Sequence, residues 1–74
     1  MSEMNSVLIG KKLVELRGNK TQEEVANAVR ISVSALSMYE TGSRIPRDNI
    51  KIRLSNYYSV PIADIFYAQS AHET

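Results

Sequence analysis

The 74 residues contain no cysteine, no tryptophan and a single histidine. Without cysteine there are no disulfides and no thiolate metal sites, and the composition fits a reducing compartment. The one histidine, His72, stands near the end of the chain, which argues against histidine catalysis. Apolar runs are short, Val7-Leu8-Ile9 among them, whereas a membrane span needs about 20 such residues. The N-terminus does not read as a signal peptide, because Glu3 stands where positive charge belongs. No glycine-rich phosphate loop, metal cluster or nucleophile–base constellation stands out, so an enzyme is not expected. These absences together lead us to expect a cytoplasmic protein without metal, cofactor, small-molecule ligand or membrane attachment.

What is present is ordinary for a globular chain: 43% hydrophobic and 23% charged residues. This length makes about one small domain, with little room for an enclosed catalytic cavity. The net charge of +1 does not point to nucleic acid, but its distribution is uneven. Residues 30–53 hold Arg30, Arg44, Arg47, Lys51 and Arg53 against Glu40 and Asp48, a local balance of +3, and the remainder is −2. A phosphate-facing surface needs local positive charge more than a high total. Charge asymmetry alone fits an ordinary solvated face equally well.

The hydrophobic spacing predicts five short helices and no strands, an all-α bundle spanning residues 1–67 with a flexible tail at 68–74. The first runs from about Ser6 to Arg17, with Ile9, Leu13 and Leu16 at helical spacing and Gly18-Asn19 as its stop. The second opens at Thr21, where Thr21-Gln22-Glu23-Glu24 fits a capping box, and buries Val25 and Val29 with small Ala26 between them. After Arg30-Ile31, Ser32 caps a third helix reaching about Glu40, with Leu36 and Tyr39 inward and Gly42 as a stop. A loop through Ile45-Pro46 leads to a fourth helix from about Arg47 to Tyr58, carrying Ile50, Leu54, Tyr57 and Tyr58. Pro61 suits the first turn of a fifth, which carries Ile62, Ile65 and Phe66.

Two helices joined by so short a turn, 21–29 and 33–40, carry the helix-turn-helix signature. The tight turn forces a large crossing angle, so the second helix packs Leu36 and Tyr39 and leaves its other side outside. That outer side holds Val33, Ser34, Ser37, Met38 and Thr41, all short or weakly polar. A solvated helix more often carries Lys, Glu or Gln, whereas a surface that docks closely benefits from short side chains.

The segments Leu13-Val14-Glu15-Leu16-Arg17, Thr21-Gln22-Glu23-Glu24-Val25-Ala26, Ile31 through Gly42 and Arg44-Ile45-Pro46 stand at fixed spacing. In this combination the chain resembles the Cro and phage-repressor type of helix-turn-helix, the xenobiotic-response-element family, over about residues 7–67. The resemblance implies a lambda-repressor-like five-helix fold whose third helix reads the major groove of double-stranded DNA. It implies that Gln22 donates to a DNA phosphate near the positive end of its helix dipole. Ser32, Val33, Ser34 and Ser37 match positions that contact bases or adjoining phosphates. Serine donates or accepts at either kind of site, and valine packs against a thymine methyl. Ser32 is equally a helix cap, and both roles are compatible. Arg17 and Glu40 match an architectural pair that orients the reading helix.

Three departures stand out. The link from Arg17 to Thr21-Gln22 is about two residues shorter than the common family spacing. Arg30 stands where many members carry glycine, which requires a small backbone adjustment or a left-handed arginine. The outer face of the third helix lacks the Arg, Lys, Gln and Asn that make bidentate base contacts. Specificity is therefore expected from methyl contacts, bound water, DNA shape and dimer spacing, with Arg44, Arg47 and Lys51 anchoring flanking phosphates. The expected function is a transcription regulator, a repressor, binding a palindromic operator as a homodimer. Ile62, Ile65, Phe66 and Tyr67 are candidates for the dimer contact; the first three suit the monomer core, which leaves Tyr67. The alternative is a protein-interaction module, an antitoxin or adaptor built on the same fold.

Overall fold

The computed structural model describes residues 5–67, and the expected tail at 68–74 lies outside them. Five helices follow one another: α1 (Ser6–Arg17), α2 (Gln22–Val29), α3 (Val33–Thr41), α4 (Asp48–Tyr58) and α5 (Ile62–Phe66). No strand occurs among the described residues. The helices begin where side chains satisfy the first orphan amides. Asn5 Oδ1 accepts from the amides of Val7 and Leu8, both at 3.1 Å, a cap the hydrophobic spacing did not indicate. Thr21 and Glu24 form the capping box reciprocally, at 3.0 and 3.4 Å. Ser32 Oγ accepts from the Ala35 amide at 3.0 Å. Helix α4 starts at Asp48, with Arg47 as its N-cap. Pro61 is the N-cap of α5 rather than a residue of its first turn.

The core forms where the inner faces meet. Ile9 and Leu13 of α1, Val29 of α2, Tyr39 of α3, Leu54 of α4, and Ile65 and Phe66 of α5 are buried together. Val25, Ala26 and Leu36 form a second cluster between α2 and α3. Helices α1 and α3 approach closely because Gly10 has no side chain. A Cβ there would overlap the carbonyl of Glu40 and stand 2.9 Å from that of Tyr39. Helix α3 is therefore seated on a bare stretch of α1, which fixes its depth in the bundle.

The turn from α2 to α3 passes through Arg30, whose φ of 64° and ψ of 50° put it in the left-handed region. Of the two ways to accommodate an arginine there, the chain uses the left-handed one. The turn is closed by the Ile31 amide donating to the Ala26 carbonyl at 3.0 Å. Across the bundle, Arg53 Nη1 of α4 donates to the carbonyls of Val29 at 3.2 Å and Arg30 at 3.3 Å. That guanidinium satisfies acceptors that the end of α2 leaves open. A left-handed conformation costs an L-residue about 1–2 kcal/mol, and glycine returns about 0.5–1 kcal/mol of that through unfolded-state entropy. Arg30→Gly should therefore stabilise the fold by up to about 1 kcal/mol. Urea unfolding measures it; a lower midpoint would show that the arginine side chain outweighs its backbone strain.

Candidate nucleic-acid interface

The end of α1, the start of α2 and the last turn of α3 meet at one carboxylate. Glu40 is buried, with 4% of its side chain exposed. Arg17 Nε lies 2.8 Å from its Oε2, and Arg17 Nη2 donates to Oε1 at 3.2 Å. Gln22 Nε2 donates to the same Oε1 at 2.8 Å. An ionised carboxylate only accepts, so it is the amide nitrogen of Gln22 that faces it. Arg17 Nη1 donates to the Lys20 carbonyl at 2.8 Å, which ties down the short link between α1 and α2. The structure thus brings Arg17 and Glu40 together across the shortened link and adds Gln22 to the pair. The bond to Glu40 holds the guanidinium more firmly protonated than usual, against the opposing effect of burial.

Tyr58 of α4 stands in the field of this pair. Its hydroxyl is buried, and no described group hydrogen-bonds it. Burial, reinforced by the negative charge of Glu40, pushes its ionisation up to about 12.

Around this anchor the expected interface residues fall into three groups. Ser32, Val33, Ser34, Arg44 and Arg47 are exposed. Ser37 and Met38 are half-buried, and Gln22 is half-buried over Glu40. Thr41 is exposed, but its hydroxyl donates to the Met38 carbonyl at 3.2 Å and lies 3.0 Å from Ser43 Oγ. The capping bond of Ser32 uses one lone pair and leaves its O–H available, so the cap and an outward contact are compatible. Arg44 and Arg47 stand in the segment after α3, held by buried Pro46.

Lys51 departs from expectation. Its side chain is 5% exposed, and Nζ lies 3.0 Å from the Tyr67 hydroxyl and 3.7 Å from Asp48 Oδ1. It also lies 5.0 Å from the centre of the Tyr67 ring and 5.8 Å from that of Phe66. The ammonium is spent inside the protein, joining α4 to the end of α5, and does not serve as an outward phosphate anchor. Of the residues considered for a dimer contact, Ile65 and Phe66 are buried, Ile62 is half-buried, and Tyr67 is exposed with its hydroxyl on Lys51. Sequence reasoning missed Arg53 and Gly10, whose partners are 23 residues or more away in the chain and give no local signal.

Removing one partner of a buried pair costs about 3–5 kcal/mol, less where another donor remains. Arg17→Met leaves Glu40 with the Gln22 bond alone and should destabilise the fold by about 3 kcal/mol in urea unfolding. A loss within about 0.5 kcal/mol would show that the pair does not support the fold. The raised ionisation of Tyr58 predicts an alkaline limb. The unfolded chain releases this proton near pH 10 and the folded chain only near 12, so its contribution is complete below 10 and falls as pH rises from 10 to 12. Tyr58→Phe should flatten that limb, and an unchanged limb would place its origin elsewhere.

Comparison with known proteins agrees with this architecture. A phage relative, the cryptic phage CTXphi transcriptional repressor RstR of Vibrio cholerae, is 32% identical over 60 residues. The match covers 78% of this chain and 54% of that protein, so the chain spans about half the length of its relative. Among solved structures, the SOS-response transcriptional repressor LexA from Eubacterium rectale superposes with a TM-score of 0.81 at 19% identity, covering 95% of this chain and 77% of that one. The clp gene regulator ClgR from Corynebacterium glutamicum gives 0.78 at 23% identity, covering 96% and 77%. Identities this low speak for the fold alone. Residues 11–65 match the helix-turn-helix family model, in keeping with the five-helix architecture and the paired α2 and α3, and the chain belongs to the Cro and phage-repressor type of helix-turn-helix family.

Proposed function

We propose that this chain is a sequence-specific DNA-binding transcription regulator, a repressor, that lays the N-terminal half of α3 into the major groove. One observation carries the reading: α3 is anchored at its far end by the Arg17–Glu40–Gln22 network, while short side chains cover its free side. A rigidly held helix without long outer side chains can approach a groove floor closely. Ser32, Ser34 and Val33 are then the groups nearest the bases, with Ser37 and Met38 deeper and Thr41 at the edge. Gln22 keeps one amide hydrogen beyond its bond to Glu40, to donate to a phosphate at the positive end of the α2 dipole. Arg44 and Arg47 contact flanking phosphates; Lys51 takes no part. The likeness to a phage repressor favours repression. A two-fold operator calls for a second copy, with half-sites about 34 Å apart. Such a protein works in the cytoplasm of a bacterium, on chromosomal or phage DNA.

The test is selection from random duplex DNA, followed by a salt titration on the winners. A palindrome should emerge, with affinity falling steeply against log salt. Ser34→Ala and Val33→Ala should change sequence preference and leave the salt slope in place. Arg44→Gln and Arg47→Gln should each reduce the slope by about 0.9 without changing preference. Absence of enrichment, with dissociation constants of about 10⁻⁴–10⁻⁶ M for every duplex, sinks the proposal; a protein-interaction module on the same fold would take its place.

A further inference from the structure

A groove lies between the C-terminal end of α2 and the second half of α4. Ala28, Val29, Arg30, Arg53, Asn56 and Tyr57 line it. Two arginines, Arg30 and Arg53, are among its lining residues. The guanidinium of Arg53 is pinned by Nη1 to the carbonyls of Val29 and Arg30 at 3.2 and 3.3 Å. Its Nε and Nη2 donate to no described residue, so three N–H groups of a fixed fork remain unused. Arg30 makes no side-chain hydrogen bond or ion pair with a described residue. One turn before Ala28 on α2, the carboxylate of Glu24 accepts from the Thr21 amide at 3.4 Å. Arg30 and Arg53 thus bring two positive charges to the groove, and neither makes an ion pair with a described residue.

The backbone beside the groove is strained as well. Arg30 holds a left-handed conformation that glycine would adopt without strain. Strain kept beside a groove calls for a functional account. Two guanidinium forks suit the charge and planar oxygen geometry of a phosphate group. Asn56 adds an amide, and the Tyr57 ring, set edge-on to Tyr58 at 5.0 Å, supplies an apolar wall.

We propose that this groove is an oxyanion site for a phosphorylated small molecule, held by Arg53 and Arg30. Its occupation acts on the α2–α3 turn, because Arg53 holds the two carbonyls that end α2. DNA shares the phosphate chemistry, but the groove is at the opposite end of α2 from Gln22. Ala28 follows Gln22 by six positions and Arg30 by eight, about 9–12 Å at 1.5 Å per residue. The proposal stands apart from the reading of α3 and survives or fails independently of it.

The experiment titrates inorganic phosphate into the isotope-labelled full chain at constant ionic strength and follows backbone amide shifts. Saturable shifts confined to residues 28–31 and 53–57 are expected. Arg30→Gly should weaken binding at least fivefold while its unfolding midpoint stays at or above that of the parent. Arg53→Lys, which keeps the charge and loses the fork, should weaken it as well. Shifts no different from those with sodium chloride would overturn the proposal, as would undiminished binding by Arg30→Gly. Shifts centred on Gln22, Ser32 and Ser34 would also overturn it, since phosphate would then be mimicking a DNA backbone. A short duplex supplies the last arm: groove amides that move with duplex but not with phosphate would assign the arginines to DNA instead.

Discussion

A carboxylate taken out of water has to be answered by donors, and the answer given to Glu40 organises the molecule. Its two oxygens collect three hydrogen bonds from two other helices. Leaving such a group unpaired costs several kcal/mol, so the three helix ends cannot drift apart independently. The donors come from the last residue of α1 and the first of α2, and the acceptor from the last turn of α3. Gly10 complements this by letting α1 reach the backbone of that same turn. Helix α3 is thus gripped at its C-terminal end, which leaves its N-terminal end free of this network.

The free end is steadied by a second device, the turn out of α2. A chain leaving a helix must satisfy the last carbonyls, and here a side chain from α4 shares the work with the local backbone. Because Arg53 meets the carbonyls of both Val29 and Arg30, the turn is referenced to α4 as well as to α2. Ser32 then starts α3 with its own hydroxyl. Each end of α3 therefore has a separate support, one ionic and buried, the other built from backbone acceptors.

Much of this frame is legible in the sequence because helix ends are local events. Thr21 with Glu24, Ser32 with Ala35, and the positive-φ glycines Gly18 and Gly42 announce themselves within four residues. The apolar spacing likewise locates Ile9, Leu13, Leu36, Tyr39 and Leu54 on inner faces. What the sequence hides is long-range. Lys51 reads as a surface cation by residue type, yet it lies one turn before Leu54 on the inner side of α4, where Phe66 and Tyr67 receive its ammonium. Gly10 reads as a weak helix residue until the carbonyl of Glu40 is seen against it. Arg53 reads like any basic residue, because the carbonyls it serves belong to another helix. At the candidate interface the residue list is largely legible, but the availability of each group is not: Thr41 is tied to its own turn, and Gln22 is half committed to Glu40.

Those commitments narrow what α3 can do on the proposed reading. Only Ser32, Val33 and Ser34 combine exposure with a contact group left over from local bonding. A hydroxyl makes single hydrogen bonds, whereas discrimination of about 1–3 kcal/mol per base pair comes from bidentate pairs. Three short side chains therefore read few base edges, and the remaining selectivity must come from how well a sequence fits the surface. On that reading Gln22, bonded to Glu40 at the C-terminal end of α3, and Arg44 and Arg47 just beyond that end would form a bracket of phosphate contacts at the far end of α3 from the reading residues. Such a bracket rewards DNA whose backbone already follows it and penalises DNA that must bend to reach it. Readout by shape is cumulative over a helical turn, so a second copy on the same face of the duplex would multiply a selectivity that one copy holds only weakly.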